Sequence, residues 1–150
     1  MRVYLVIVDE TEEARASLRF AARRAADTGG AVHLLAIVPK QEFNAFAGVQ
    51  ATIEEEARDR AEVLANSAAG ELMSEMGQRP QITVRVGDAK AVINEYLKAH
   101  REVAALVLGA AKEGSPGPLV THFSTHAGSL PCPVFLIPGS LSEEEIDRLS

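Results

Sequence analysis

The stretch Ala104–Thr125, AALVLGAAKEGSPGPLVTHFST, holds the densest set of residues whose types and spacing could do chemistry. An apolar run, Ala104 to Leu108, stops at Gly109. Lys112, Gly114, Ser115 and Gly117 follow, and Pro118 stands where a helix would open. A strand, a loop of small residues and a helix start together aim backbone N–H groups at one point, where the helix dipole favours negative charge. Pro118 at the first helical position leaves the N–H groups of Leu119 and Val120 free. Lys112 adds a point charge suited to phosphate. The chemistry expected of this stretch is anion binding. The competing reading is a tight crossover loop that needs glycine for geometry alone.

Other chemistries can be tested against spacing. Gly109 to Ser115 nearly spells the phosphate loop G-x-x-x-x-G-K-[ST], but Ser115 stands where lysine is required. No G-x-G-x-x-G follows the first apolar run, so a dinucleotide site of that type is unsupported. A phosphoryl-accepting domain would use Asp9-Glu10 and Asp88. Gly87 separates Asp88 from its strand, however, and no lysine closes the last strand. His122 and His126 are four apart and share a helix face, near Cys132. A structural zinc site needs four clustered ligands and no second cluster exists, so these read as an ordinary helix pair and a packed thiol. His33 reads as a half-buried strand histidine with no partner spaced to it.

The bulk composition narrows the class. The chain has 150 residues, 47% apolar and 24% charged, the balance of a single globular domain. With no Trp, two Tyr and five Phe, the core must be Val, Leu, Ile and Ala, which suits a buried sheet under Ala-rich helices. A net charge of −6 argues against nucleic acid and anionic membrane surfaces as partners. Cys132 is the only cysteine, so no internal disulfide forms, as in a reducing cytoplasm. The N-terminal apolar run is too short for a membrane span and reads as a first strand.

Continuous apolar runs at Val3–Val8 and Ala31–Val38 predict strands buried on both faces. Between them Thr11 caps a helix to about Thr28, with Ala14, Leu18, Ala21, Ala22 and Ala25 on its apolar stripe and a solvated face carrying Arg15, Arg19, Arg23 and Arg24. Residues 41 to 50 read as a loop in which Phe43 and Phe46 either cover a ligand or fold back on the core edge. A long helix is expected from Ala51 to about Met76, its first turn made acidic by Glu54, Glu55 and Glu56. Gln81 to Val86 alternates as an edge strand. A third helix, Ala89 to about His100, follows. The fourth strand is Ala104–Leu108, the fourth helix runs from Pro118 to about Gly128, and the fifth strand is Val134–Ile137. The body of the domain is residues 1–139. The acidic tail, 140–150, carries a capping box at Ser142 and Glu145 and would form a short helix docked on the domain or on a partner. Strict alternation of strand and helix predicts an α/β fold with a parallel sheet, helices on both faces and right-handed crossovers.

VYLVIVDETEEARASLRFAARRA, AVHLLAIVP, VRVGDAKAVINEYLKAH, ALVLGA and LPCPVFLIPG together resemble the universal stress protein family over about Val3 to Ile137. The resemblance implies an open five-stranded parallel sheet of order 3-2-1-4-5, Rossmann-like and of the adenine nucleotide alpha hydrolase type. It implies a cytoplasmic homodimer paired through strand five (Val134, Phe135, Leu136, Ile137), ATP as ligand in many members, with Mg2+, and no strong catalysis. The family's ATP loop, G-x-x-G-x9-G-[ST], is altered here. Gly109 matches its first glycine, Lys112 occupies the second, and Val120 and Thr121 fall on the last pair. Asp9 matches the family's acidic residue near the nucleotide, and Val38 a position near adenine. The expected nucleotide site is therefore Val8, Asp9, Val38, Leu108, Gly109, Lys112, Gly114, Ser115, Gly117, Val120 and Thr121. The function expected is a stress-response adaptor that binds ATP. The alternatives are a nucleotide-free dimeric module with a protein partner, and a weak ATP hydrolase.

Overall fold

The computed structural model describes residues 1–40 and 47–150, the side chains of 47–50 excepted; Phe43 and Phe46 lie outside the described residues. The order of elements is β1 (Val3–Val8), α1 (Glu12–Thr28), β2 (Ala31–Val38), α2 (Ala47–Met76), β3 (Gln81–Val86), α3 (Ala89–Ala99), β4 (Val103–Ala110), α4 (Pro118–Thr125), β5 (Val134–Pro138) and α5 (Glu143–Leu149), with a short 3-10 turn at Ala127–Ser129 before β5. The five strands form one sheet in the order β3-β2-β1-β4-β5, and every pairing is parallel. This is the order that the family resemblance implies.

Side-chain alternation divides the core in two. Tyr4, Val6 and Val8 of β1 face α1 and α2, where they join Leu18, Ala21, Ala25, Ala68 and Leu72. Val3, Leu5 and Ile7 point to the opposite face and pack with Val92, Ile93, Tyr96 and Leu97 of α3 and with Val120 and Phe123 of α4. The inner strands are therefore buried on both faces, which is why they read as unbroken apolar runs. Burying each such Val, Leu or Ile contributes about 1.5–3 kcal/mol.

The helix ends follow local chemistry. Thr11 caps α1 by accepting from the Ala14 N–H at 3.3 Å, and Gly29 closes it at φ 66°, where a side chain would be strained. Asp88 caps α3 through the Ala91 N–H at 3.1 Å. Ser142 and Glu145 form the expected capping box of α5.

Several boundaries differ from the expectations. α2 begins at Ala47, so part of the expected loop is helical, and Glu54–Glu56 lie beyond the first turn, which holds no acidic residue. The buried residues of α2, among those described, are Ala65, Ala68, Ala69 and Leu72. β4 runs through Gly109 to Ala110, because Gly109 pairs with Ile137 and Ala110 with Pro138. α4 stops at Thr125, where the chain tightens into the 3-10 turn. The arginine face of α1 is not simply solvated. Arg19 donates to both carboxylate oxygens of Asp147 at 2.8 Å and to Glu75 at 3.0 Å, and Arg23 reaches Asp147 at 3.2 Å. These bonds, with Ile146 buried beneath them, hold α5 on α1. The Arg19 pairing keeps the Asp147 carboxyl below the usual aspartate range. His33 does have a partner, supplied by tertiary structure: its Nδ1 lies 2.7 Å from the Tyr96 hydroxyl.

Candidate functional site

In a parallel α/β sheet a ligand site is expected beyond the C-terminal strand ends, where the strand order reverses. Here that place lies between β1 and β4. Asp9 leaves the end of β1, and its carboxylate accepts from the Thr11 N–H at 2.8 Å and from the Thr11 hydroxyl. That local bond sets the start of α1 and holds Asp9 at the rim, exposed.

Asp9 lines three hollows, two of which also take in expected site residues from other strands. The first, about 430 Å³, lies between the ends of β1 and β2 and the inner face of α2. Val8, Asp9, Ile37, Val38 and Pro39 form one wall; Ala57, Arg60, Ala61 and Leu64 form the other. It is apolar with charged groups at its edge, the lining that a flat heterocycle needs. The second, about 180 Å³, lies between β1, the start of α1 and the loop after β4. Asp9, Leu108, Gly109, Gly117, Pro118 and Val120 line it.

The loop itself is compact. The Ala111 N–H donates to the Pro116 carbonyl at 3.1 Å, and the Thr121 N–H to the Gly117 carbonyl at 3.0 Å. Gly117, at φ 115°, is the N-cap of α4, and no side chain caps the helix there. The first N–H groups of α4 are thus left to another acceptor. Gly114, at φ 71°, makes the turn that a side chain would strain.

Gly109 has a different reason to be glycine. A Cβ there would overlap the Glu13 carbonyl oxygen, so the first turn of α1 seats directly on β4. Gly139 repeats the device next door, with Glu13 Cβ 3.0 Å from where its Cβ would be.

The expected site residues therefore separate into groups. Val8, Asp9 and Val38 share the first hollow, and Asp9, Leu108, Gly109, Gly117 and Val120 the second. The Val120 side chain is buried in the core, so only its backbone is available to a ligand. Lys112 and Gly114 stand on the exposed crest of the loop, with Lys112 Nζ 4.0 Å from a Glu12 carboxylate oxygen. Ser115 and Thr121 turn to a separate, open depression on the outer side of α4. Sequence reasoning missed Ala57, Arg60 and Ala61. Their helical spacing was visible, but nothing local says which strand ends α2 covers.

Burial pushes the Cys132 thiol above its ordinary pKa, which disfavours the thiolate. Among the described residues, no group of three or more His, Cys, Asp or Glu could hold a metal ion. No described helix is long and apolar enough to cross a membrane.

Comparison with known proteins agrees with the fold. No curated protein matches the sequence closely enough to count as a relative. The universal stress protein UspA from Lactobacillus plantarum superposes with a TM-score of 0.76 at 19% identity, over 91% of this chain and 97% of that one. A universal stress protein from Archaeoglobus fulgidus, in complex with dAMP, gives 0.64 at 18% identity, over 91% and 98%. A family member from Arabidopsis thaliana with AMP bound gives 0.63 at 16% identity, over 92% of each chain. The family model for universal stress proteins matches residues 1–138, and the chain belongs to the universal stress protein family.

Proposed function

We propose that this chain is a cytoplasmic, dimeric stress-response adaptor that binds an adenine nucleotide, ATP with Mg2+ among them, and does not turn it over rapidly. One observation carries the reading: the apolar hollow at Val8 and Val38 opens at Asp9 onto the hollow beneath the uncapped start of α4. The first would take the base, and the second, with the N–H groups of Leu119 and Val120, the first phosphate. The AMP and dAMP complexes of the structural neighbours support adenine nucleotides as the ligand class. The dimer is supported by β5, an edge strand whose Leu136 is 42% exposed and whose outer edge has no partner strand among the described residues.

Titration calorimetry with ATP and Mg2+ tests the reading. Saturable heat that Asp9→Ala weakens is the expected result, and no heat at high protein concentration sinks it. A second reading has its own observation. Gly109 is needed for packing against Glu13 whether or not a phosphate is present, as a nucleotide-free interaction module would require. ATP released on denaturing the freshly purified protein would exclude that module.

A further inference from the structure

The open depression on the outer side of α4 spans about 530 Å³. His122 and His126 line it, four residues apart and so on one face of the helix. Their rings lie 4.4 Å apart, centroid to centroid, and are tilted by 32°. Each ring is held from one side. That of His122 stands perpendicular to the buried Phe123 ring at 4.9 Å. The His126 Nδ1 donates to the His122 carbonyl at 2.9 Å. This bond sets the tautomer and leaves the His126 Nε2 with a free lone pair. Donation of the second ring nitrogen to a backbone carbonyl is also how metal-ligating histidines are oriented. Among the described residues, no hydrogen bond takes either ring nitrogen of His122.

We infer that His122 and His126 form a chelating site for a divalent transition-metal ion of the imidazole-preferring class, Zn2+ or Cu2+. Two histidines at this spacing on one helix face can grip a single ion. Two ligands fall short of the four in a structural zinc site, so the ion would be exchangeable and keep water in its other positions. Ser115 and Thr121 line the same depression and offer hydroxyls to that water. Charges of both signs act on the His122 ring. Lys90 opposes a cation there, and the Asp88 carboxylate, which caps α3, favours one. α4 is eight residues long and runs straight into the 3-10 turn, so an ion joining His122 to His126, its C-cap, would brace that end. Mg2+ prefers oxygen ligands, so this site is separate from the nucleotide reading and does not rest on it.

The test uses the full chain without nucleotide at about pH 7.5, where an ordinary imidazole is neutral. With one equivalent of Cu2+, electron paramagnetic resonance should show coupling to two imidazole nitrogens. Calorimetry with Zn2+ should show one site that His122→Gln and His126→Gln each weaken about tenfold or more, because each removes one of two ligands. Melting curves without metal check that both variants fold, and the wild-type copper spectrum stands whether or not they do. A copper spectrum with one imidazole nitrogen or none overturns the inference. So does zinc binding that survives either substitution.

Discussion

Arg19 on α1 and Lys90 on α3 carry the same charge in different settings. Arg19 is only 21% exposed at its side chain and is held by Asp147 and Glu75, with Glu143 at 3.8 Å. Lys90 is exposed and unpaired among the described residues, beside a depression lined without carboxylates. The first cation is part of the fold: it fastens α5 over Ile146. The second makes no salt bridge among the described residues and fastens no element to another. Charge in an acidic chain is thus sorted by whether neighbouring elements bring it a partner, and sequence position alone does not reveal the sorting.

Gly109 offers the severest test, because it belongs to both categories, packing and site. Gly109→Val should cost more than about 3 kcal/mol in urea unfolding, since its Cβ would overlap the Glu13 carbonyl. A stable variant would mean that α1 does not seat on β4, and the packing account of this glycine would fall. Arg19→Ala comes next, at about 1 kcal/mol, a modest figure because the network is partly solvated. Lys90→Gln should stay within about 0.5 kcal/mol, and equal costs for the two would erase the comparison.

The pH dependence of the Arg19 effect sharpens it. The folded-state pKa of Asp147 is depressed, so its contribution is present above the ordinary aspartate value of 3.8 and is lost as pH falls through the lower folded value. The gap between wild type and Arg19→Ala should therefore persist in mild acid and close only in strong acid. The smallest effect concerns His33, whose pKa burial holds below the ordinary 6.5. As pH falls below 6.5 the unfolded chain takes up a proton that the folded chain refuses, so stability declines. His33→Gln should flatten that slope in denaturation curves between pH 7 and 5, and an unchanged slope would assign the decline to another group.

Much of the fold was legible before the structure. The unbroken runs Val3–Val8 and Ala31–Val38, the caps at Thr11 and Ser142 and the edge character of Gln81–Val86 rest on side-chain period and on hydrogen bonds between near neighbours. Less legible was the extent of β4. Gly109 looks like a strand breaker in isolation, and only its pairing with Ile137 keeps it in the sheet.

The sequence by itself determined the alternation of strand and helix, the helix caps and the presence of a small-residue loop after β4, because each depends on contacts a few residues apart. Tertiary structure alone decided three things. It gave His33 its partner in Tyr96, 63 residues away. It turned Arg19 from a solvated cation into the fastening of α5, 128 residues away. It divided the expected site between hollows on two sides of α4 and brought Lys90 to one of them. The physical reason is common to all three: a side chain's partners depend on which elements the sheet order sets side by side, and no local spacing encodes that order.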